Sequence, residues 1–368
     1  MLLHELITAL DAIAPTRFAE SWDNVGLLAG DPQQSVSKAM LTIDYTRGVA
    51  DEAKAAGADA VIAYHPPIFS PVKRLTADSS AGLVFDAVRR GVAIYSPHTA
   101  IDVAPGGTND MLADALGLPD EGRQPLRIVQ PKASQYKLVT FVPKDALPRV
   151  SEALFAAGAG HIGNYSHCSF QIDGRGTFVG EEGTNPTIGQ SGRLETTAEV
   201  RLETVLPIAR LNDALAALRA SHPYEEPAFD LVQLASPPEK TGQGRIGSLE
   251  QPVARRELLE RIKAALNLDR LLVAGPVDGV ASRLACCAGS CGDILDDAIA
   301  QRADVYLTGE MKHHEALRAA AVGMTVVCTL HSNSERAVLR RLADRLRTAL
   351  PSLDILISQR DRDPFSIQ

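Results

Sequence analysis

The chain has 368 residues, 45% of them apolar and 22% charged, with a formal charge of −8 at neutral pH. That length buries a large core in two or three domains, and the acidic balance, without a long Lys/Arg run, argues against a general nucleic-acid binder. No run of about 18 apolar residues signals a membrane span, and five cysteines in no regular framework fit a reducing cytoplasm.

The N-terminus, MLLHELITALDAIAP, reads as an amphipathic helix and not a signal peptide. Strand and helix patterns then alternate: KAMLTID (38–44), the helix TRGVADEAKAAG closed by Gly57, ADAVIAY (58–64), the helix AGLVFDAVRRG closed by Gly91, and VAIYS (92–96). This order predicts right-handed crossovers and a mostly parallel sheet covered by helices. The middle differs. YKLVTFVP, ALPRVSEALFAAG, a Gly/Thr/Glu-rich run with hairpin-like alternation, IARLNDALAALRAS and PAFDLVQL suggest a small ferredoxin-like module. PPEKTGQGRIG (237–247) reads as a linker back to the main fold. The last third repeats the first scheme: RLACCAG, DILDDAIAQRA, DVYLTG, MKHHEALRAAAVG, TVVCTL (325–330) and a long amphipathic helix, SERAVLRRLADRLRTAL. The expected architecture is therefore two related α/β lobes, 1–126 and 236–368, interrupted by an α+β insertion at 127–235.

Polar groups gather just after the predicted strands, where open α/β sheets collect ligands. His65 follows ADAVIAY, Asp102 lies beyond VAIYS on a loop with His98 and Thr99, and His331 follows TVVCTL with Glu335 one helical turn later. Residues four apart share a helix face, and two imidazoles with two carboxylates suit Zn, Mn, Fe or a similar divalent ion. Each residue alone also has a structural use, His65 as a loop cap and His331 at a helix start. Joint placement makes the site. Asp23 and Asn24 lie on a Gly-rich loop, and Glu310 and His314 near a strand end. Lys73 and Arg74 suit an anionic substrate, and the Gly106–Gly107 turn before Asn109 and Asp110 offers backbone N–H groups to an anion. The CCAGSC run (Cys286, Cys287, Cys291) reads as small residues filling a strand and turn, since no second Cys pair completes a zinc site.

The segments ESWDNVGLLAGDP, YHPPIF, SPHTAIDVAPGGTND, TGEMKHHEAL and LHSNSE, in that order, resemble the Nif-three-like (NGG-interacting factor three) family, and the middle third resembles a PII/CutA-like insertion found in its longer members. The resemblance implies metal ligands at His65, Asp102, His331 and Glu335, with Glu335 bridging two ions. It also implies a toroidal homohexamer with the insertions capping its openings. Many members carry two consecutive histidines where this chain has Tyr64-His65. One or two ions per subunit are therefore expected, with Tyr64, a water or His98 at the altered position. Relatives' description as GTP cyclohydrolase type-two homologs implies a metal-dependent hydrolase acting on a nucleotide, with His98 as proton shuttle and Lys73 and Arg74 contacting phosphate. The alternatives are a non-enzymatic metal-binding or metal-delivery protein and a regulatory adaptor. DNA binding would require a local basic patch.

Overall fold

In the computed structural model, which describes residues 1–128, 135–234 and 241–366, the chain divides into two compact units. One joins Met1–Gln130 with Pro238–Gln368, and the other spans Pro131–Pro237.

The first unit holds two five-stranded sheets. In one, the strands run Gly26–Ala29, Ala93–Ser96, Ala60–Ala63, Lys38–Thr42 and Asp354–Ile357. All its pairings are parallel except that of Gly26–Ala29. Successive side chains point to opposite faces of a strand, so each face meets its own helices. Ala39, Leu41 and Ile62 pack with the helices Leu3–Ile13 and Val338–Ala349, while Met40, Val61 and Ala63 pack with Arg47–Ala56 and Gly82–Arg89. Gly57, at φ +65°, ends its helix in the left-handed conformation that glycine adopts at low cost.

The second sheet runs Arg245–Ala254, Val280–Ser290, Val305–Glu310, Thr325–Cys328 and Leu272–Ala274. Only its three central strands are parallel, and both edges are antiparallel. The mostly parallel expectation therefore holds for the sheet centres and fails at three edges. The halves also exchange elements. Helix Thr108–Ala115 packs on the second sheet, and the final strand, Asp354–Ile357, joins the first.

Two local expectations change. The predicted helix 334–350 is two helices, His331–Glu335 and Val338–Ala349. The expected linker becomes strand from Gly242, with residues 237–240 lying outside the described ones.

In the second unit the order is strand Gln135–Pro143, helix Leu147–Ala156, strands Ser169–Val179 and Leu194–Pro207, helix Leu211–Ser221 and strand Phe229–Gln233. The sheet is antiparallel, with Leu194–Pro207 and Gln135–Pro143 at its centre. One apolar cluster joins Leu138, Val142, Leu202 and Leu206 to Val150, Leu154, Ala214 and Leu218 of the two helices. This βαββαβ arrangement accounts for the change of pattern in the middle of the sequence. Among the described residues, no helix is long and apolar enough to cross a membrane.

Candidate metal centre

The site lies in the first unit, where the carboxyl ends of both sheets deliver polar residues. Tyr64 and His65 follow the strand Ala60–Ala63, and His98 opens the short helix His98–Val103, which also carries Asp102. The loop expected for His98, Thr99 and Asp102 is thus helical. His331 and Glu335 form the two ends of one helical turn and face the same side. Two residues that aim these turns have left-handed backbone, His98 at φ +26° and Leu330 at φ +73°. Such conformations cost of order 1–3 kcal/mol in non-glycine residues and concentrate at functional sites.

One donor atom each from His65, His331 and Glu335 lies within 4.8 Å of the others. Glu335 forms the floor, with 3% of its side chain exposed. His331 Nε2 sits 3.3 Å from its Oε1, and His65 Nε2 sits 3.4 Å from its Oε2. Glu335 Oε2 is buried and accepts no hydrogen bond among the described residues. Two imidazoles and a buried carboxylate with an uncommitted oxygen form a donor set that fits Zn, Mn or Fe.

Each imidazole of the cleft is held from behind by a carboxylate. His65 Nδ1 lies 2.9 Å from Asp44 Oδ1, His98 Nδ1 lies 2.7 Å from Asp23 Oδ1, and His331 Nδ1 lies 3.3 Å from Glu310 Oε1. This backing orients an imidazole and raises the basicity of its other nitrogen, as in metal-binding histidines generally. Burial pulls the His65 ring down, but the hydrogen bond to Asp44 and the nearby Glu335 carboxylate outweigh it and push the ring up to about 10. Burial likewise opposes ionisation of Glu335 and Asp23, yet their histidine partners hold both below the usual carboxylate range.

Asp102 stands outside that group of three. It is partly buried, and desolvation followed by the charge of Glu335 pushes it up to about 6. The hydroxyl of Tyr64 donates to Asp102 Oδ1. Burial, then Asp102 and Glu335, raise the phenol well above its ordinary value. Tyr64 thus serves Asp102 as a hydrogen-bond donor.

The other expected residues separate. Glu310 and Asp23 serve as backing carboxylates, whereas His314 is exposed and meets His313 edge-on. Asn109 is buried and bridges two elements, donating to the Asp102 carbonyl and accepting from the Ala288 N–H, both at 2.9 Å. Asn24 donates to the Ile68 carbonyl. The Gly106–Gly107 turn has no amides to spare for an anion. Gly106 N–H donates to Asp110 at 2.7 Å and Gly107 N–H to Ala104 at 3.0 Å, while Asp110 pairs with the buried Arg245. Lys73 and Arg74 are exposed on the loop after YHPPIF, outside these networks.

Asp44, Trp22 and Phe69 were not anticipated. Asp44 obeys the same strand-end rule as His65, two residues past Lys38–Thr42. Trp22 and Phe69 are exposed yet adjacent, and they extend a ladder of rings out of the cleft. Its centroid separations are 5.3 Å (His331–His65), 5.2 Å (His65–His98), 6.1 Å (His98–Trp22) and 5.9 Å (Trp22–Phe69).

Fold and site define an α/β protein with a carboxylate-backed histidine cluster at metal-ligand spacing. The chain belongs to the family described as Duf34/NIF3 (NGG1p interacting factor 3), which it matches over residues 1–364. A Halalkalibacterium halodurans protein named GTP cyclohydrolase 1 type 2 homolog is 35% identical over 368 residues, covering 98% of this chain and 97% of its own. The solved structure of a Bacillus cereus protein related to NIF3 is 35% identical with a TM-score of 0.72, covering 100% of this chain and 99% of its own. A Staphylococcus aureus structure is 28% identical with a TM-score of 0.81 and the same coverage. The family read from the five motifs is the family these comparisons find.

Proposed function

We propose that this protein holds a divalent metal ion through His65, His331 and Glu335, with Asp102 beside them, and hydrolyses a nucleotide-like substrate. The observation that carries this reading is the buried Glu335 carboxylate facing two imidazole Nε2 atoms, one of its oxygens without a hydrogen bond. The relatives' name, GTP cyclohydrolase 1 type 2 homolog, supplies the substrate class. A divalent ion held there contributes Lewis acidity, which activates water and polarises a substrate oxygen.

The chain's own residues do the rest. An ionised Asp23 accepts from His98 Nδ1, which leaves Nε2 as the atom that carries a proton across the cleft. Asp44 orients His65 in the same way. Trp22 and Phe69 present aromatic faces suited to a planar base, and Lys73 and Arg74 supply positive charge for phosphate. The toroidal homohexamer belongs to the same proposal and predicts a hexameric mass by light scattering.

The test is turnover. Protein loaded with Mn²⁺, Zn²⁺ or Fe²⁺ is expected to consume GTP, and His65→Ala to abolish this. If no loaded form turns GTP over, or if His65→Ala matches wild type, the hydrolase reading fails. A protein that then surrenders its metal to mild chelation without unfolding is a carrier instead.

A further inference from the structure

Gly289 brings the long strand of the second sheet against the metal group. A Cβ at this position would meet Glu335 Oε1 at 3.0 Å and His331 Nε2 at 3.5 Å. Its N–H donates to Ser334 Oγ at 2.8 Å, and its carbonyl accepts from Thr308 Oγ1 at 3.2 Å. In a regular strand, residues four apart stand roughly 13 Å apart. Here the pairing with Val305–Glu310 shifts between Cys287 and Ser290, and Gly289 takes φ +72°. The chain folds back, and Cys291 Sγ comes to 2.6 Å from Cys287 Sγ, while also lying 2.8 Å from the Ala288 carbonyl. A covalent sulfur–sulfur bond is about 2.0 Å.

The two thiols differ in access. Cys291 is partly exposed and Cys287 is buried, and burial pushes the Cys287 thiol well above its ordinary value. The attacking sulfur is therefore Cys291. Cys286 points the other way, 3.5 Å from the Asn109 carbonyl.

We propose that Cys287 and Cys291 form a reversible intrachain disulfide in the wall of the cleft, closed by exchange with a small-molecule disulfide of the glutathione type. The Cys291 thiolate attacks one sulfur of that disulfide and releases its first half as a thiol. Cys287 then attacks the mixed disulfide at the Cys291 sulfur and releases the second half. Two electrons pass from the cysteine pair to the small molecule, and the two thiol protons end on the two released thiols. Closure draws in the Ala288–Ser290 turn, and with it Gly289, whose missing Cβ leaves the space beside Glu335 and His331. The bond thereby weakens metal uptake, whatever the substrate.

The full chain is treated with oxidised glutathione, its remaining thiols are blocked, and it is cut with trypsin. The tryptic peptide 284–302 contains Cys286, Cys287 and Cys291. The expected product is lighter by two hydrogens, blocked only at Cys286, and restored by dithiothreitol. In Cys291→Ser no such product forms. Blocking of all three cysteines, a bond through Cys286, or a lasting glutathione adduct on Cys291 would overturn the assignment. Equilibrium dialysis with Mn²⁺ is expected to show weaker uptake by the oxidised form. Equal uptake would overturn the coupling to the cleft.

Discussion

The Tyr64 hydroxyl donates to Asp102 Oδ1, and the same hydroxyl lies 3.2 Å from Thr108 Oγ1. Tyr64 is buried and Asp102 partly so, and this contact commits one oxygen of a carboxylate that would otherwise be free to bind a cation. Tyr64→Phe removes the donor and leaves the carboxylate short of a partner. It is expected to destabilise the fold by about 1–3 kcal/mol, measured by denaturant unfolding. Tyr64→His exchanges the phenol for an imidazole, and metal analysis of the purified protein is expected to show more metal per chain than in wild type. An unchanged stoichiometry would show that Tyr64 does not limit a second ion.

Glu335 and Asp44 act at different distances from the proposed ion. Glu335→Gln keeps the shape of the floor but removes its charge, so metal per chain is expected to fall. Asp44→Asn leaves every proposed donor atom in place and removes only the carboxylate behind His65 Nδ1. Loss of such an outer partner typically lowers metal affinity about 10–100-fold. Competition with a chelating dye reads both effects, and wild-type affinity in Asp44→Asn would rule out the backing role.

The charge around His65 fixes the direction of the pH dependence. Burial opposes the charged ring, but the hydrogen bond to Asp44 and the nearby Glu335 carboxylate lift it from 6.5 to about 10. A raised histidine stabilises the fold fully below the unfolded value of 6.5, and this contribution is lost as pH rises through about 10. Metal uptake at His65 Nε2 expels the proton, so apparent affinity is expected to rise with pH through the neutral range and beyond. The slope is about tenfold per pH unit for each proton released. Calorimetry in buffers of different ionisation enthalpy counts those protons. A plateau reached by pH 7 would contradict the assignment.

His65, His331 and Glu335 are readable in the sequence because strand ends and a four-residue helical spacing are local patterns. The carboxylates behind the imidazoles are less so. Asp44 follows a strand by the same rule, but its role depends on which way the His65 ring turns, and that is set by tertiary packing. Motif order pointed to the family, yet it could not show that Gly106 and Gly107 spend their amides inside the fold. The antiparallel edges Gly26–Ala29 and Leu272–Ala274 pair with strands distant in sequence, and no local periodicity encodes that. The thiol contact was hidden for a similar reason. CCAGSC has the composition of a plain buried strand, and only the register shift after Cys287 brings Cys291 back to it.

Trp22 is the only tryptophan in the chain, and 59% of it is exposed beside His98 and Phe69. Its emission therefore reports on the outer end of the ring ladder without interference from any other indole. If a planar base stacks there, adding GTP to metal-loaded protein is expected to quench this emission in a saturable way. Phe69→Ala removes one face of the platform, and base–aromatic stacking is worth about 1–3 kcal/mol. The GTP concentration at half-quenching should therefore rise roughly 5- to 150-fold. A ribose triphosphate lacking the base separates the two proposed contacts. It should bind through Lys73 and Arg74 but leave Trp22 emission unchanged. Quenching by that compound equal to quenching by GTP would show that no base stacks on Trp22.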